Sequence, residues 1–391
     1  MTTYDVLVIG AGAAGLMCAI RAGQRGRRVL LIDHAEEAGK KILISGGGRC
    51  NFTNRDVRPE RFLSANPHFA RSALSRYTAR DFLALIEKHR IAWHEKTLGQ
   101  LFCDGSAKQV VAMLLAEAEA AGVDVALDTR VTDITRGTAF TISTDRGVLE
   151  AASVVLATGG ISIPKMGATG FAYDMAERFG LKLVERRPAL VPLAFGGEEL
   201  ELMQPLAGVS LPVIAKAGKA RFPEAMLFTH RGLSGPAILQ ASSYWREGEA
   251  LTLDLLPGQD AVALLLAAKR ARPKAEPRTV LGEFLPARLA QALAERHLPG
   301  IRMADLQDRP VIALANLIKA WTLTPATTEG YAKAEVTLGG VDTDGLSQQN
   351  LMAKEVPGLF VIGEAVDVTG WLGGYNFQWA WASGWAAGEA A

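Results

Sequence analysis

The stretch from Tyr4 to Asp33 constrains the fold of this chain more than any other. Residues 6–9 are an apolar run rich in β-branched side chains, which predicts a strand buried on both faces. A glycine turn, a helix-compatible segment at residues 13–23 and a second apolar run at residues 29–32 follow, and Asp33 ends the second run. The turn has a G-x-G-x-x-G frame made by Gly10, Gly12 and Gly15. This order of elements predicts a βαβ dinucleotide-binding unit.

Each part of this unit has a physical role. Gly10 permits the tight turn, Gly12 lets the backbone approach a pyrophosphate, and Gly15 lets the helix pack close to the strand. Asp33 can accept hydrogen bonds from a ribose 2′-hydroxyl, which disfavours a 2′-phosphate. The helix N-terminus offers unpaired N–H groups and a positive dipole end to phosphates. The predicted site here also includes Ala13, Ala14 and His34. The alternative, a glycine turn in another kind of α/β protein, is disfavoured by the complete βαβ context.

The composition is that of an ordinary globular protein. The chain has 391 residues, which predicts two or three domains, and its net charge of +1 indicates no global preference for nucleic acid or membrane. No run reaches the roughly 18 apolar residues that a membrane-spanning helix needs. The three cysteines are widely spaced and form no C-x-x-C pair, so we predict no disulfide framework and no metal site. A reducing, cytoplasmic setting is therefore expected.

A second glycine-rich segment follows Asp33 directly. Residues 45–51 contain three consecutive glycines, which are used where the backbone must approach another group closely or adopt positive φ. Lys40, Lys41 and Arg49 place positive charge beside this loop, so a phosphate or an anionic flavin ring would be a suitable partner. The alternative is a flexible surface loop with solvated lysines.

Two later strands also end in motifs of this kind. Residues 153–156 (SVVL) are mostly apolar and lead into Thr158, Gly159 and Gly160, and residues 359–362 lead into Gly363 and Glu364. A final apolar helix then opens after a glycine pair, and its N-terminus can stabilise negative charge on a bound group. The residues at this opening are Gly373, Gly374, Tyr375, Asn376 and Phe377.

Together these segments resemble the HI0933-like (BaiN/YhiN-type) family of FAD-dependent flavoproteins. The resemblance is carried by GKKILISGGGRCNFTN at residues 39–54, by ATGG at residues 157–160 and by the GE and GGYN motifs near the C-terminus, and it covers nearly the whole chain. It implies that the second loop passes along FAD and that Val131 contacts adenine through its backbone. For Val131 an ordinary strand position is an equal alternative. The loop residues so implied are Gly47, Gly48, Arg49, Cys50 and Asn51.

The resemblance also implies redox chemistry. Family activities include reduction of conjugated C=C bonds, in steroid-like or nucleobase rings, and oxidation of small amino ketones. We expect two-electron transfer between non-covalently bound FAD and a small organic substrate, with any NAD(P)H docking transiently because no second G-x-G-x-x-G occurs. Arg49 and Asn51 are predicted to polarise substrate or flavin, and Tyr375 to donate a proton. Cys50 could act as an acid, although a small buried residue is favoured. His230 is a further candidate proton donor, although a structural role is favoured for a lone histidine.

The predicted fold is α/β, with a Rossmann-like FAD domain of the two-dinucleotide-binding type. Residues 1–187 and 341–391 form this domain. An antiparallel, barrel-like β subdomain (188–256 and about 328–340) and a helical subdomain (257–327) interrupt it. Residues 93–102 are predicted to form a hairpin or short excursion.

Two other functions remain open from the residues alone. Lys269, Arg270, Arg272, Lys274 and Arg278 form a basic cluster that could dock RNA, although such runs are usually solvated faces. The second is a nucleotide-binding scaffold that holds ADP or NAD without turnover.

Overall fold

The computed structural model describes residues 2–298 and 302–391. The chain forms two units. The first unit combines the chain up to Arg187 with Val336–Ala391, and the second, here called the insert, is Pro188–Glu335. The N-terminal and C-terminal parts of the sequence therefore belong to one unit.

The elements follow one another in chain order. Before the insert they are β1 (Thr2–Ile9), α1 (Ala13–Gln24), β2 (Val29–Ile32), α2 (Lys40–Ile44), β3 (Asn51–Asn54), β4 (Phe62–Leu63), α3 (Arg71–Arg76), α4 (Ala79–Lys88), β5 (Trp93–Glu95), β6 (Gln100–Cys103), α5 (Ala107–Ala120), β7 (Asp124–Ala126), β8 (Val131–Arg136), β9 (Phe140–Thr144), β10 (Gly147–Leu156), α6 (Phe171–Arg178) and β11 (Leu183–Ala189). The insert contains β12 (Leu193–Ala194), α7 (Gly197–Met203), β13 (Ser210–Ala217), β14 (Ala220–Thr229), β15 (Gly232–Ser234), α8 (Pro236–Ser242), β16 (Leu251–Asp254), α9 (Ala261–Ala271), α10 (Pro277–Leu281), α11 (Ala287–His297), α12 (Asp308–Lys319), β17 (Trp321–Leu323) and β18 (Thr327–Thr328). After it come β19 (Val336–Val341), β20 (Leu359–Val361), β21 (Thr369–Gly370) and α13 (Tyr375–Gly388).

The central sheet of the first unit has the strand order β7-β2-β1-β10-β9-β8, and β20 also pairs with β10. The strands β7, β2, β1, β10 and β20 are parallel, whereas β9 and β8 add antiparallel pairs. Every residue of β2 is buried, as expected for a parallel strand covered on both faces. The predicted Rossmann-like α/β fold is confirmed.

The strand β10 is longer than the sequence pattern indicated. In the sequence, residues 148–150 alternate around a turn as in a hairpin and the apolar run begins only at residue 153, but the structure has one continuous strand. Residues 147–151 of β10 pair with β9, and residues 154–156 pair with β20. The strand β1 pairs with most of the length of β10. The sequence pattern changes along β10 because the first half of the strand is partly exposed, whereas its last three residues are buried.

The C-terminal helix α13 packs directly against α1. A Cβ atom on Gly384 would lie 2.3 Å from the Ala14 carbonyl oxygen, and one on Gly388 would lie 2.7 Å from that of Cys18. The two helix backbones therefore approach each other closely at these glycines. Trp379 and Trp381 are buried on α13, and Trp381 stacks on a neighbouring phenylalanine as a core residue.

The insert is built on an antiparallel sheet with the order β17-β16-β13-β14-β15-β12-β18. The helices predicted between residues 257 and 327 are present as α9 to α12, but they do not form a separate unit. The strands β17 and β18 lie in the same range and pair with β16 and β12, so helices and sheet are interleaved along the chain.

The return to the first unit also occurs earlier than predicted. Residues 336–340 were assigned to the insert, but β19 pairs with β11 and lies in the first unit. Within the described residues, no helix is both long and apolar enough to span a membrane.

Candidate functional site

The carboxyl ends of β1, β2, β10 and β20 meet at one edge of the central sheet. The segments after these ends carry Gly10, Asp33, Thr158 and Glu364, which are far apart in the sequence. Ligands of open α/β sheets bind at this edge. The parallel pairing therefore brings four of the predicted site segments together.

The three glycines of the first turn have different surroundings. A Cβ on Gly15 would lie 1.9 Å from the Gly10 carbonyl oxygen, and one on Gly10 would lie 2.5 Å from the Ala157 carbonyl oxygen. A Cβ on Gly12 would meet no protein atom within 4 Å. Gly12 caps α1 without a side-chain hydrogen bond, and no acidic residue lies in the first helical turn, where Ala13 and Ala14 stand. The start of α1 is thus an open, positively polarised surface suited to phosphate.

Asp33 fixes the glycine turn from the tip of β2. Its carboxylate accepts hydrogen bonds from the N–H groups of Ala11 at 2.7 Å and Ala35 at 2.8 Å. The side chain is still 17% exposed, which leaves it accessible to a ribose hydroxyl. The His34 ring lies 3.6 Å from Asp33 and beside Gly167, in the loop that precedes α6.

The segment that leads to Val131 is hydrogen-bonded to the same strand tip. The N–H of Thr129 donates to the Asp33 carbonyl at 2.9 Å, and that of Asp128 donates to the Ala35 carbonyl at 3.0 Å. Val131 is buried and begins β8 two residues later. The position is consistent with an adenine contact, which stays a prediction.

A hydrogen-bond network centred on Glu364 joins distant segments of the first unit. The carboxylate accepts from the Lys41 amine at 2.8 Å, the Ser162 hydroxyl at 3.2 Å and the Thr337 N–H at 2.9 Å. Lys41 also donates to Ser162 at 2.6 Å. The sequence predicted Lys41 and Glu364 as separate cofactor contacts, and the structure places them in direct contact. Ser162 and Thr337 were missed, because neither belongs to a recognisable motif.

The turn after β10 fits tightly around this network. Gly159 has φ +73°, and a Cβ on Gly160 would lie 2.5 Å from a Glu364 oxygen and 2.4 Å from the Thr337 hydroxyl. The Thr158 hydroxyl is buried and has no hydrogen-bond partner among the described residues. A buried hydroxyl without a partner is energetically costly. The orphaned Thr158 group and the open space at Gly12 both fit a bound dinucleotide such as FAD.

The second glycine loop follows the short helix α2. Lys40 and Lys41 belong to this helix, which directly precedes the loop. Gly46, Gly47 and Gly48 have φ values of +56°, +68° and +84°, as the glycine run had predicted. A Cβ on Gly47 would meet no protein atom within 4 Å, so this turn also faces open space.

Arg49 and Cys50 have opposite environments at the end of this loop. The Arg49 side chain is exposed and makes no hydrogen bond or ion pair within the described residues, so it is free to contact a ligand. Cys50 is fully buried at φ +51°, and burial raises the pKa of its thiol to about 12. The thiol is therefore a neutral core group, which agrees with the favoured alternative.

Asn51, the first residue of β3, lies beside the start of α13. Its amide is 3.2 Å from Gln100, and when its two ends are oriented to match their neighbours, its oxygen accepts from the Gly374 N–H at 3.1 Å. Gly373 and Gly374 have φ values of +110° and +92°, and a Cβ on Gly374 would lie 2.4 Å from the Thr53 carbonyl oxygen. Asn51 thus holds the glycine pair that directs the helix N-terminus.

Tyr375 is buried, and its hydroxyl is held by the Arg61 guanidinium and lies 3.3 Å from the Asp56 carbonyl. Burial raises its pKa, although Arg61 opposes the shift. These contacts favour a positioning role over the predicted role as a proton donor. Asn376 accepts from the Gly370 N–H at 2.8 Å, and Phe377 stacks on Trp381, so both also stabilise the helix start.

Other candidates lie elsewhere in the chain. His230 is exposed at the turn between β14 and β15 of the insert. In the basic cluster, Lys269 pairs with Asp308 at 2.6 Å, and Arg272 and Arg278 pair with Glu283 and Glu276. These ion pairs reduce the free positive charge and favour a solvated face. A cleft of about 520 Å³ between α7, α11 and α12 contains none of the predicted site residues.

The parallel sheet and the glycine turns at its edge define a protein of the Rossmann type. The model of the HI0933-like protein Rossmann domain matches residues 4–390, and the chain belongs to this family. The chain is 50% identical to a ribosomal RNA dihydrouridine synthase of Escherichia coli, over 100% of this chain and 98% of that protein. It is 31% identical to a 3-dehydro-bile acid delta(4,6)-reductase of Clostridium scindens, over 98% of both chains.

Among solved structures, a quinol-fumarate reductase has a TM-score of 0.52 and 17% identity, and the alignment covers 99% of this chain and 70% of that chain. This likeness concerns the fold. Membership of this family and the similarity to the two reductive enzymes identify the protein as an FAD-dependent oxidoreductase, as the resemblance had implied.

Proposed function

We propose that this protein reduces the C=C bond of the uracil ring of a uridine in ribosomal RNA. The observation that carries the proposal is the 50% identity to the Escherichia coli ribosomal RNA dihydrouridine synthase over the whole chain. A conjugated C=C bond in a nucleobase ring is also one of the acceptors that the sequence resemblance implied. This substrate replaces the freely diffusing small molecule that the sequence had suggested.

The residues at the sheet edge fit FAD as the cofactor. The open N-terminus of α1 at Gly12 would hold the pyrophosphate, Asp33 the ribose, and the orphaned Thr158 hydroxyl a further polar group of the cofactor. Bound FAD supplies the two-electron chemistry, which no side chain of the protein can supply. The Lys41–Glu364 pair would fix the turns on either side of it.

The protein residues have two further roles in this proposal. Asn51 and the glycine pair at Gly373 and Gly374 direct the N-terminus of α13, whose free N–H groups would stabilise negative charge. Arg49 is exposed and has no side-chain partner among residues 2–298 and 302–391, so its guanidinium can hydrogen-bond to a uracil carbonyl and polarise the ring. We further propose NAD(P)H as the reductant, which docks only transiently.

The test uses the purified protein, ribosomal RNA transcribed in vitro and NADPH or NADH under anaerobic conditions. Dihydrouridine is measured by mass spectrometry of the digested nucleosides. We expect dihydrouridine to form, and Arg49→Ala to lower its rate while the protein keeps its FAD. A protein that retains FAD and is reduced by NADPH, yet forms no dihydrouridine in the transcripts, would refute the proposal.

A second candidate substrate is a steroid-like enone, favoured by the 31% identity to the bile-acid reductase. The same assay with a 3-keto steroid enone separates the two. Turnover of the enone without turnover of the RNA would assign the protein to small-molecule reduction.

A further inference from the structure

The backbone conformation and the exposure of Leu98 are both unfavourable for the stability of the fold. It lies in the connection between β5 and β6, its φ is +60°, and it is 62% exposed. A left-handed backbone conformation is costly for any residue with a Cβ, and an apolar side chain in water recovers none of that cost. Within the described residues the other large apolar side chains recorded as exposed are Ile44, Val125 and Val148, at 48%, 39% and 44%.

The tip of this hairpin, residues 96–99, is held rigidly beside the start of α13. The side-chain nitrogen of Asn54, a residue that is only 1% exposed, donates to the Leu98 carbonyl at 3.0 Å and to the Gly373 carbonyl at 2.9 Å. The N–H of Arg55 donates to the Gly99 carbonyl at 2.8 Å. The exposed leucine is therefore fixed to the same glycine turn that directs the proposed flavin-facing helix.

Cations and aromatic rings surround the tip. The Lys96 amine lies 5.3 Å from the centre of the Phe102 ring, and the Arg55 guanidinium lies 5.4 Å from that of Trp93. Glu95 pairs with Arg55 and Asp104 with His94, whereas Lys96 makes no ion pair within the described part of the chain and can meet another partner. Single-stranded nucleic acids are bound by such combinations, in which cations contact phosphates and flat or apolar side chains contact bases.

We propose that the hairpin tip contacts the RNA next to the reacting uridine, with Leu98 packed on the face of a neighbouring base and Lys96 beside a phosphate. The inference rests on the proposed reduction of uridine in RNA. Enzymes that act on a base must take it out of the stack, and an apolar side chain can cover the neighbour that the departing base exposes. A rigid leucine at the edge of the site meets this requirement.

The variants Leu98→Ala and Leu98→Gly remove the side chain, and glycine also relieves the left-handed conformation, so the fold is kept. Val148→Ala is the matched control, because it truncates an exposed apolar residue of the same unit on β10. Filter binding to ribosomal RNA transcribed in vitro and dihydrouridine formation are measured together with FAD content. Both Leu98 variants should weaken RNA binding and lower kcat/KM about tenfold, as expected for the loss of one base contact.

RNA binding and kcat/KM of the Val148→Ala control should remain at the wild-type level. Leu98→Phe should bind RNA more tightly than Leu98→Ala, because its ring can again cover a base. Lys96→Ala should weaken binding and reduce its salt dependence. Equal binding by wild type and both Leu98 variants would overturn the role of the tip without affecting the proposed reaction. Leu98-dependent binding without any dihydrouridine would support the tip and refute the reaction. Failure of the wild-type protein to bind RNA would refute both.

Discussion

The Lys41 amine and the Glu364 carboxylate lie 2.8 Å apart, although 323 residues separate them in the chain. Lys41 is on α2, after the second strand of the central sheet, and Glu364 follows β20 near the C-terminus. The contact joins the first and last parts of the first unit at the edge where the strands end.

Lys41→Met should weaken FAD binding about tenfold, because it removes the cation that fixes Glu364 and leaves a partly buried carboxylate without its ion pair. FAD affinity is measured by fluorescence titration of the FAD-free protein. The control is Arg146→Met, which breaks an ion pair with Asp128 of the same 2.8 Å length on the exposed surface. Unchanged FAD affinity in the Lys41 variant would refute the role of the pair.

Gly12→Ala should impair FAD binding while leaving the FAD-free fold almost unchanged. The added methyl group meets no protein atom within 4 Å but enters the space proposed for the pyrophosphate. The unfolding free energy of the FAD-free protein should fall by less than about 1 kcal/mol. Urea unfolding and FAD titration measure the two effects separately.

Gly15→Ala is the contrasting substitution in the same turn. Its Cβ would lie 1.9 Å from the Gly10 carbonyl oxygen, so helix and strand must move apart. We expect a loss of about 3 kcal/mol or more in the FAD-free protein. Similar stabilities of the Gly12 and Gly15 variants would contradict this division of roles.

Gly384→Ala should destabilise the contact between α1 and α13 by about 2 kcal/mol, because its Cβ would lie 2.3 Å from the Ala14 carbonyl oxygen. Thermal unfolding measures the change. Gly137→Ala is the control, since a Cβ there has no neighbour within 4 Å. If both variants unfold at the same temperature, the close approach of the two helices is not required.

The thiols should be unreactive in the native protein. Cys18, Cys50 and Cys103 are buried, and burial raises their pKa values to about 12, about 12 and about 11. Unfolded thiols ionise at lower pH, so the unfolded state loses protons first and stability should fall as the pH rises above about 9. An aromatic disulfide reagent should label the thiols only after denaturation, and rapid labelling of the native protein would contradict this expectation.

Neutralising Lys269 and Arg272 together should have little effect on RNA binding. Both cations already pair with carboxylates, of Asp308 and Glu283, so the net charge available to phosphates is small. Filter binding at several salt concentrations measures the slope. A clearly lower salt slope in this double variant would restore the basic cluster as an RNA-binding surface.

Local patterns in the sequence determined the elements of the cofactor unit. The apolar runs before Gly10, Thr158 and Gly363 indicated buried parallel strands, and the G-x-G-x-x-G frame in its βαβ context indicated the phosphate turn. The strand predictions are confirmed, because burial on both faces requires continuous apolar runs. The close backbone approaches at Gly10 and Gly15 also require glycine, while phosphate binding at this turn stays a prediction. The family resemblance added FAD, which those patterns alone left open between several dinucleotides.

The tertiary structure decided which of these residues work together. In the folded chain Lys41 pairs with Glu364, and Ser162 and Thr337 join their hydrogen-bond network. Tyr375 contacts Arg61, and the helices of the insert belong to the same unit as its sheet. The tertiary structure also exposed Leu98 in the connection between β5 and β6, while it buried Cys50 just before β3, the neighbour of β6. These contacts join residues that are distant in the chain. The periodicity and composition of a local segment do not indicate which distant residue it will meet. The sequence by itself determined the cofactor unit, and only the folded chain determined which side chains remain free to meet a substrate.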